Sequence, residues 1–479
     1  MKNLAWFKTF AVINRTFVND SLSSYKQYRF KAKTSFISLL IIILMFTTAC
    51  QPTPEQEVVI GRQDDIIEVA SSVPPDQFKE IEAPDHVNNA YDFEKLSITF
   101  DADVIVPKVS AYPVTKVSKR VFSDEDYLAL IKQFAGSSNE LYSEWTFPKS
   151  ELLEKIIKAK PYVSTGIVSQ DTLDIWQEQY DNTDENPQNP LVQLSGLPAS
   201  KIIPLYAKNN NQVAQVVIAR NGNYFSYCKD PFFLSIAPAS LYEDSDFDEN
   251  ADTIEHFKWM QPGESDISQK DAYELALSYV NELNMGLELY SAEPCTVIEG
   301  LVDKSVGWRF VFTRKISGLQ MPYQDFVAYL NPDALPSCGA PWEPEMCRMV
   351  IDENGLVTFA WHGASKLSDV NAESIELKPF DFIQSRIADQ LKFIHSNPIR
   401  NDVGADIKIT KISLGTSLIS VKDEPDAGIY VPSWYVDYYI KWSDEDSYNN
   451  ELNTVILNAI DGSYIEPRVT DEEILQAKS

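Results

Sequence analysis

Histidine, cysteine and basic residues are scarce in this chain of 479 residues, which has 4 His, 5 Cys and 41 Lys plus Arg against 70 Asp plus Glu. The four histidines, His86, His256, His362 and His395, fall in separate stretches, so a histidine metal cluster would have to be assembled from distant elements. No HExxH, GxSxG, Walker loop or GxGxxG occurs, which leaves the common zinc, serine-nucleophile, phosphate and dinucleotide chemistries without a signature. The formal charge of −29 repels nucleic acid and removes it from the partner classes. Aromatics, by contrast, are plentiful: 24 Phe, 23 Tyr and 9 Trp must be buried or bound somewhere, which excludes a disordered chain.

Long apolar runs are also rare, and the one that exists is informative. Residues 37–50, ISLLIIILMFTTAC, follow a basic flank of Lys26, Arg29, Lys31 and Lys33, and residues 34–54 carry no charge. That is the layout of a signal segment whose basic end stays inside while its apolar part partitions into the bilayer. The end of the run resembles a bacterial lipoprotein lipobox, usually Leu, a small residue, Gly or Ala, then Cys. Thr48, Ala49 and Cys50 match, and Thr47 stands where Leu is usual. The resemblance implies that Cys50 receives a thioether diacylglycerol and becomes the first residue of the mature chain, anchored to the outer face of the cell membrane. Two other readings are open: a retained transmembrane helix, although Leu39–Phe46 is far shorter than the roughly 20 residues needed to span, and a translation start within the first thirty residues. Removal of residues 1–49 takes away seven Lys or Arg and one Asp, and the balance moves from −29 to −35.

The body reads as α+β, with repeated units of a helix packed on a small antiparallel sheet. Expected divisions are a signal peptide at 1–49, a lipid-anchored tether at 50–90, a first α+β domain at 91–243, an acidic linker at 244–262, a second unit at 263–370, a third at 371–470 and a tail at 471–479. In LSITFDADVIV, apolar Leu96, Ile98, Phe100, Ala102, Val104 and Val106 alternate with polar residues, as in a strand with one wet face. Ser123 with Asp126 and Ser268 with Asp271 form capping-box starts to helices striped by Tyr127, Leu130, Ile131 and Phe134, and by Ala272, Leu275, Ala276, Tyr279, Val280 and Leu283. Phe380, Ile383, Ile387 and Leu391 stripe a third helix. Strands are expected at GWRFVFTR and DFVAYL, and hairpin turns at Asn221-Gly222, Asn354-Gly355 and Asp461-Gly462, where Asn or Asp and Gly tolerate positive φ.

Four cysteines besides Cys50 allow three disulfide pairings outside the cell. Cys338 and Cys347 enclose the short loop CGAPWEPEMC and form the first candidate pair; Cys228 with Cys295 is then the second, and free thiols are the alternative. The run DSDFDENADTIE places Asp244, Asp246, Asp248, Asn250, Asp252 and Glu255 at the ligand spacing of a calcium loop. Glu249 stands where the turn wants Gly, so a solvated acidic linker is the favoured reading and calcium the other; no further cofactor is indicated.

The segments FDADVIVPKVSAYPVTKV, DIKITKISLGTSL, YVPSWYVDYYIKW and LNAIDGSYIEP resemble uncharacterised lipoproteins of gut Firmicutes grouped as the domain of unknown function DUF6034, over most of residues 90–470. The last three are also similar to extracellular YycH/YycI-type regulators, which restrain a sensor kinase, mainly over 375–467. Lys411, Pro432, Trp434, Asn458, Asp461 and Gly462 carry that likeness. Those regulators keep a membrane helix, whereas cleavage at Cys50 removes it here, so kinase restraint through the bilayer is not expected. Pro432 and Trp434 read as packing residues. The expectation for function is a non-enzymatic surface lipoprotein that binds a protein or an envelope or extracellular polymer. One alternative is a surface hydrolase using an unidentified carboxylate pair; another is a structural or assembly subunit of an envelope complex.

Overall fold

Period-two alternation and helical stripes condense here into two large sheets with helices against them. A computed structural model divides the chain into two units, Met1–Glu55 and Gln56–Ser479. It describes residues 72–136, 140–164, 169–198, 202–209, 212–219, 222–229, 235–238, 267–299, 303–322, 340–395, 404–421, 424–443 and 452–465, all within the second unit. In chain order the strands are β1 (His86–Phe93), β2 (Leu96–Ile105), β3 (Val114–Lys119), β4 (Leu141–Tyr142), β5 (Ile202–Asn209), β6 (Gln212–Ala219), β7 (Phe225–Cys228) and β8 (Ser235–Pro238). They continue with β9 (Leu287–Glu299), β10 (Asp303–Ile316), β11 (Leu319–Gln320), β12 (Met346–Asp352), β13 (Gly355–His362), β14 (Ser365–Ala372), β15 (Ala405–Val421), β16 (Glu424–Trp442), β17 (Asn453–Asn458) and β18 (Tyr464–Ile465). The helices are α1 (Asp124–Ala135), α2 (Lys149–Ala159), α3 (Gln170–Asn182), α4 (Gln269–Glu282) and α5 (Phe380–His395).

An eight-stranded sheet runs β1-β2-β15-β16-β17-β18, with β3 also on β16 and β14 on β3. Its pairs are antiparallel except β2 with β15, which are parallel. That pairing joins opposite ends of the sequence: Ser97 Oγ donates to Asp406, 309 residues on, at 2.6 Å. Alternation puts Ile98, Phe100, Ala102 and Val104 into a core with Ile407, Ile409, Trp434 and Val436, closed by Phe380, Ile383, Ile387 and Leu391 of α5. The α5 stripe is the one expected from sequence.

The second sheet has ten strands, ordered β4-β5-β6-β7-β13-β12-β10-β9-β8 with β11 on β10, and is antiparallel throughout. Tyr127, Leu130 and Ile131 of α1 and Ala272, Ala276 and Val280 of α4 cover one face, against Val216, Phe225, Phe310, Phe312, Phe359 and Trp361. The capping box at Ser123 is complete, and its hydrogen bonds hold the Asp126 carboxyl below its usual range. Helix α1 precedes β5-β6-β7, α4 precedes β9-β10-β12-β13, and the two runs meet where β7 pairs with β13. Gly355 at φ 103° and Gly462 at φ 76° make the turns that their Asn-Gly and Asp-Gly dipeptides indicate.

Three expectations need correction. The sheets are larger than the small units foreseen, because β1, β2 and β3 join β15–β18 instead of closing a sheet with their sequence neighbours. The tether ends before residue 90: Val73 N–H bonds to Ser374, Ile81 N–H to the Tyr112 hydroxyl, Phe78 packs on the Tyr112 ring at 5.2 Å, and β1 begins at His86. Cys228 and Cys295 stand four strands apart, on β7 and β9. At roughly 4.8 Å per strand step that is about 19 Å, beyond the roughly 7 Å Cα separation a disulfide tolerates. Among the described residues, no helix is long and apolar enough to cross a membrane.

Candidate functional site

The residues from 141 to 147, LYSEWTF, bring an aromatic edge to the ten-stranded sheet. Leu141 pairs with Ala207 and Tyr142 with Tyr206 across β4 and β5. Because side chains alternate along a strand, buried Leu141 and Ala207 face the core while half-buried Tyr142 and Tyr206 share the other face. Trp145 meets the Tyr142 ring edge-on, with centroids 5.2 Å apart and planes at 76°. Lys208 Nζ lies 5.8 Å from the Trp145 ring centre. The Tyr142 hydroxyl donates to Glu140 at 3.2 Å, and Gln215 Nε2 donates to the Tyr206 hydroxyl at 3.3 Å. Desolvation raises both phenol pKa values, so the hydroxyls are neutral at physiological pH. The half-buried rings can stack on a flat apolar surface, with the Tyr142 and Tyr206 hydroxyls at the rim to bond to polar groups around it; Trp145 offers ring surface alone, since its Nε1 is buried.

Two hollows open elsewhere. One of about 570 Å³ is lined by Lys116, Ser118, Ser368, Glu424 and Asp426, with Lys116 and Glu424 paired at 2.8 Å. The other, about 240 Å³, lies between Phe93, Lys95, Gly404 and Asp406. On the exposed face of the eight-stranded sheet, His86 Nδ1 is 3.0 Å from Asp103 and Nε2 3.3 Å from Asp101, and Lys408 lies 3.2 Å from Asp101. These groups partner one another on the sheet surface. No group of three or more metal-capable side chains occurs among the described residues.

A shielded pair of opposite charges lines neither of these hollows. Arg314 of β10 and Glu345 pair in the interior; Arg314 also donates to the Gly286 carbonyl at 2.8 Å and the Met285 carbonyl at 3.0 Å, and Trp361 Nε1 donates to Glu345 at 3.1 Å. Burial pushes the Glu345 carboxyl up against the pull of Arg314 and Trp361. Tyr430 of β16 interacts electrostatically with both charges, so this node ties the ten-stranded sheet to the eight-stranded one.

The residues singled out from sequence divide into three groups. Cys50, Cys338, His256, the DFVAYL stretch and the calcium-spaced Asp244, Asp246, Asp248, Asn250, Asp252 and Glu255 lie outside the described residues. Cys295 and Cys347 are buried thiols, and burial pushes the Cys295 pKa up to about 12. The third group is structural. Trp434 is buried edge-on against Phe380 at 5.3 Å, and Ala459 N–H bonds to the Pro432 carbonyl. Asn458 accepts from Ile460 N–H, Asp461 from Ser463, and Gly462 gives the turn its positive φ. Lys411 sits at a register shift in β15, opposite Asp437 and Asp103. His362 bonds to Glu343 at 2.9 Å, and His395 to Tyr438 at 3.2 Å. In the sequence, the density of aromatics in 141–147 marks Tyr142 and Trp145, whereas no local signal marks Tyr206.

No family model matches the chain, and no curated protein matches it either. Among solved structures, it is similar to an uncharacterised protein from Eubacterium rectale ATCC 33656, at 15% identity over 84% of this chain and 98% of that one, with a TM-score of 0.37.

Proposed function

We propose that this chain is a lipid-anchored, outward-facing binding module that docks an envelope or extracellular polymer on its Tyr142–Trp145–Tyr206 edge. The grouping of three half-buried rings outside the sheet core carries the reading. Sugar rings present flat C–H faces rimmed by hydroxyls, which suits stacking on aromatic faces beside Gln215, Glu140 and Lys208. Acylation at Cys50 places the module at the outer surface of the cell membrane. The three helix-then-strands stretches, beginning at α1, α4 and α5, are read as repeats of one unit from that recurring order.

Co-sedimentation of the full chain with insoluble cell-wall polymer tests this function. Wild type is expected to bind, and Trp145→Ala with Tyr206→Ala to weaken binding by the folded fraction at least tenfold, since a stacked aromatic contributes about 1 kcal/mol or more; a thermal melt gives that fraction, because Trp145 also packs on Phe147 and Leu152. Equal binding by the variant, or binding of wild type to envelope proteins and to no wall polymer, would overturn it.

A further inference from the structure

Helices α2 and α3 pack chiefly on each other and not on a sheet. Ile156 and Ala159 of α2 meet Leu173 of α3, with Trp176 and Tyr180 beside them, and Phe147 and Leu152 seal the root of the pair. The outer sides remain apolar in part. Leu153 and Ile157, one turn apart on α2, are 41% and 61% exposed, and Ile175 on α3 is 44% exposed. Singly, such exposure is ordinary. Here it coincides with a separation of charge between the two helices.

Helix α2 and the residue after it carry Lys149, Lys155, Lys158 and Lys160 against Glu151 and Glu154, a local positive excess in a chain of net charge −29. Helix α3 carries Asp171, Asp174, Glu178 and Asp181 and no basic residue. The pair therefore holds both halves of a complementary surface: a basic helix bearing Leu153 and Ile157 beside an acidic one bearing Ile175.

We infer that this helical pair is a self-association surface, with α2 of one copy lying on α3 of a second. A two-fold axis makes the contact twice, setting Leu153 and Ile157 against the second copy's Ile175 and the Lys158–Lys160 end against the acidic helix. An anionic lipid surface is the poorer occupant, because it would meet the four exposed acids of α3 with no basic partner, whereas a second copy offers them the lysines of α2. Helices of 11 and 13 residues are about 17 and 20 Å long, so the contact falls below the standard interface size and makes a weak, salt-sensitive dimer.

Sedimentation velocity of the full chain in mild detergent, from about 1 to 100 µM in low salt and again in high salt, tests this. Wild type is expected to dimerise with rising concentration and to dissociate as salt is raised. Leu153→Glu with Ile157→Glu should weaken association at least tenfold. Lys158→Glu with Lys160→Glu should weaken it as well, and adding Asp174→Lys with Glu178→Lys should restore it. The charge variants sit on exposed positions, so they read association even if the apolar pair disturbs folding. A chain monomeric throughout at low salt, a dimer indifferent to the charge reversals, or monomers that bind anionic vesicles through Leu153 and Ile157 would each overturn the inference.

Discussion

Glu345→Ala is expected to lower the free energy of unfolding by about 3–5 kcal/mol, because it leaves Arg314 as a buried charge without its counter-ion. Arg314 and Glu345 have almost no solvent-exposed side chain, and Trp361 also loses its acceptor. The Gly286 and Met285 carbonyls remain as partners for the guanidinium but carry no full charge. Removing both charges behaves differently. Arg314→Met with Glu345→Leu fills similar volume with apolar atoms and is expected to recover most of the loss, since the desolvation penalty disappears with the ions. Urea unfolding followed by tryptophan fluorescence measures both variants. A Glu345→Ala cost below about 1 kcal/mol would mean that water reaches the node. A double variant as unstable as the single one would point to packing of the Arg314 stem as the larger effect.

Trp434→Ala is expected to cost about 3–5 kcal/mol, the range for deleting a large aromatic side chain from a packed core. Its ring is buried between β16 and α5, edge-on to Phe380, among residues that close the eight-stranded sheet. The same substitution should leave polymer binding by the folded fraction unchanged, since Trp434 and the Tyr142–Trp145–Tyr206 edge belong to different sheets. Unfolding and co-sedimentation measured on one preparation separate the two effects. Retained stability with lost binding would make Trp434 a contact residue and refute its assignment to the core.

Local structure was legible because local physics wrote it. The Phe380, Ile383, Ile387, Leu391 stripe, the Ser123–Asp126 capping box and the Asn354-Gly355 and Asp461-Gly462 turns all rest on residues within a few positions of one another. Sheet membership was not legible in this way. Nothing near Ser97 announces that its strand will lie parallel to Asp406, and the alternation of β2 fixes which side faces the core but not which strand comes alongside. The Arg314–Glu345 node was hidden for the same reason, since 31 residues separate two ordinary charged side chains that only the fold removes from water. In α2, Leu152 and Ile156 face inward while Leu153 and Ile157 face out, so the apolar residues run wider than one stripe and blur its period. The aromatic edge depends on Tyr142 and Tyr206 meeting across strands 64 positions apart in sequence. Their strand-forming neighbours were visible; the pairing was not.

The proposed anchorage on the outer face of the membrane rests on acylation of Cys50. Cells expressing the full chain and fed an alkyne fatty acid give the most direct test. Wild type is expected to be labelled and to sediment with membranes, whereas Cys50→Ala should lose the label and be misprocessed or released. An unlabelled wild type, or a Cys50→Ala chain labelled as strongly as wild type, would contradict the account.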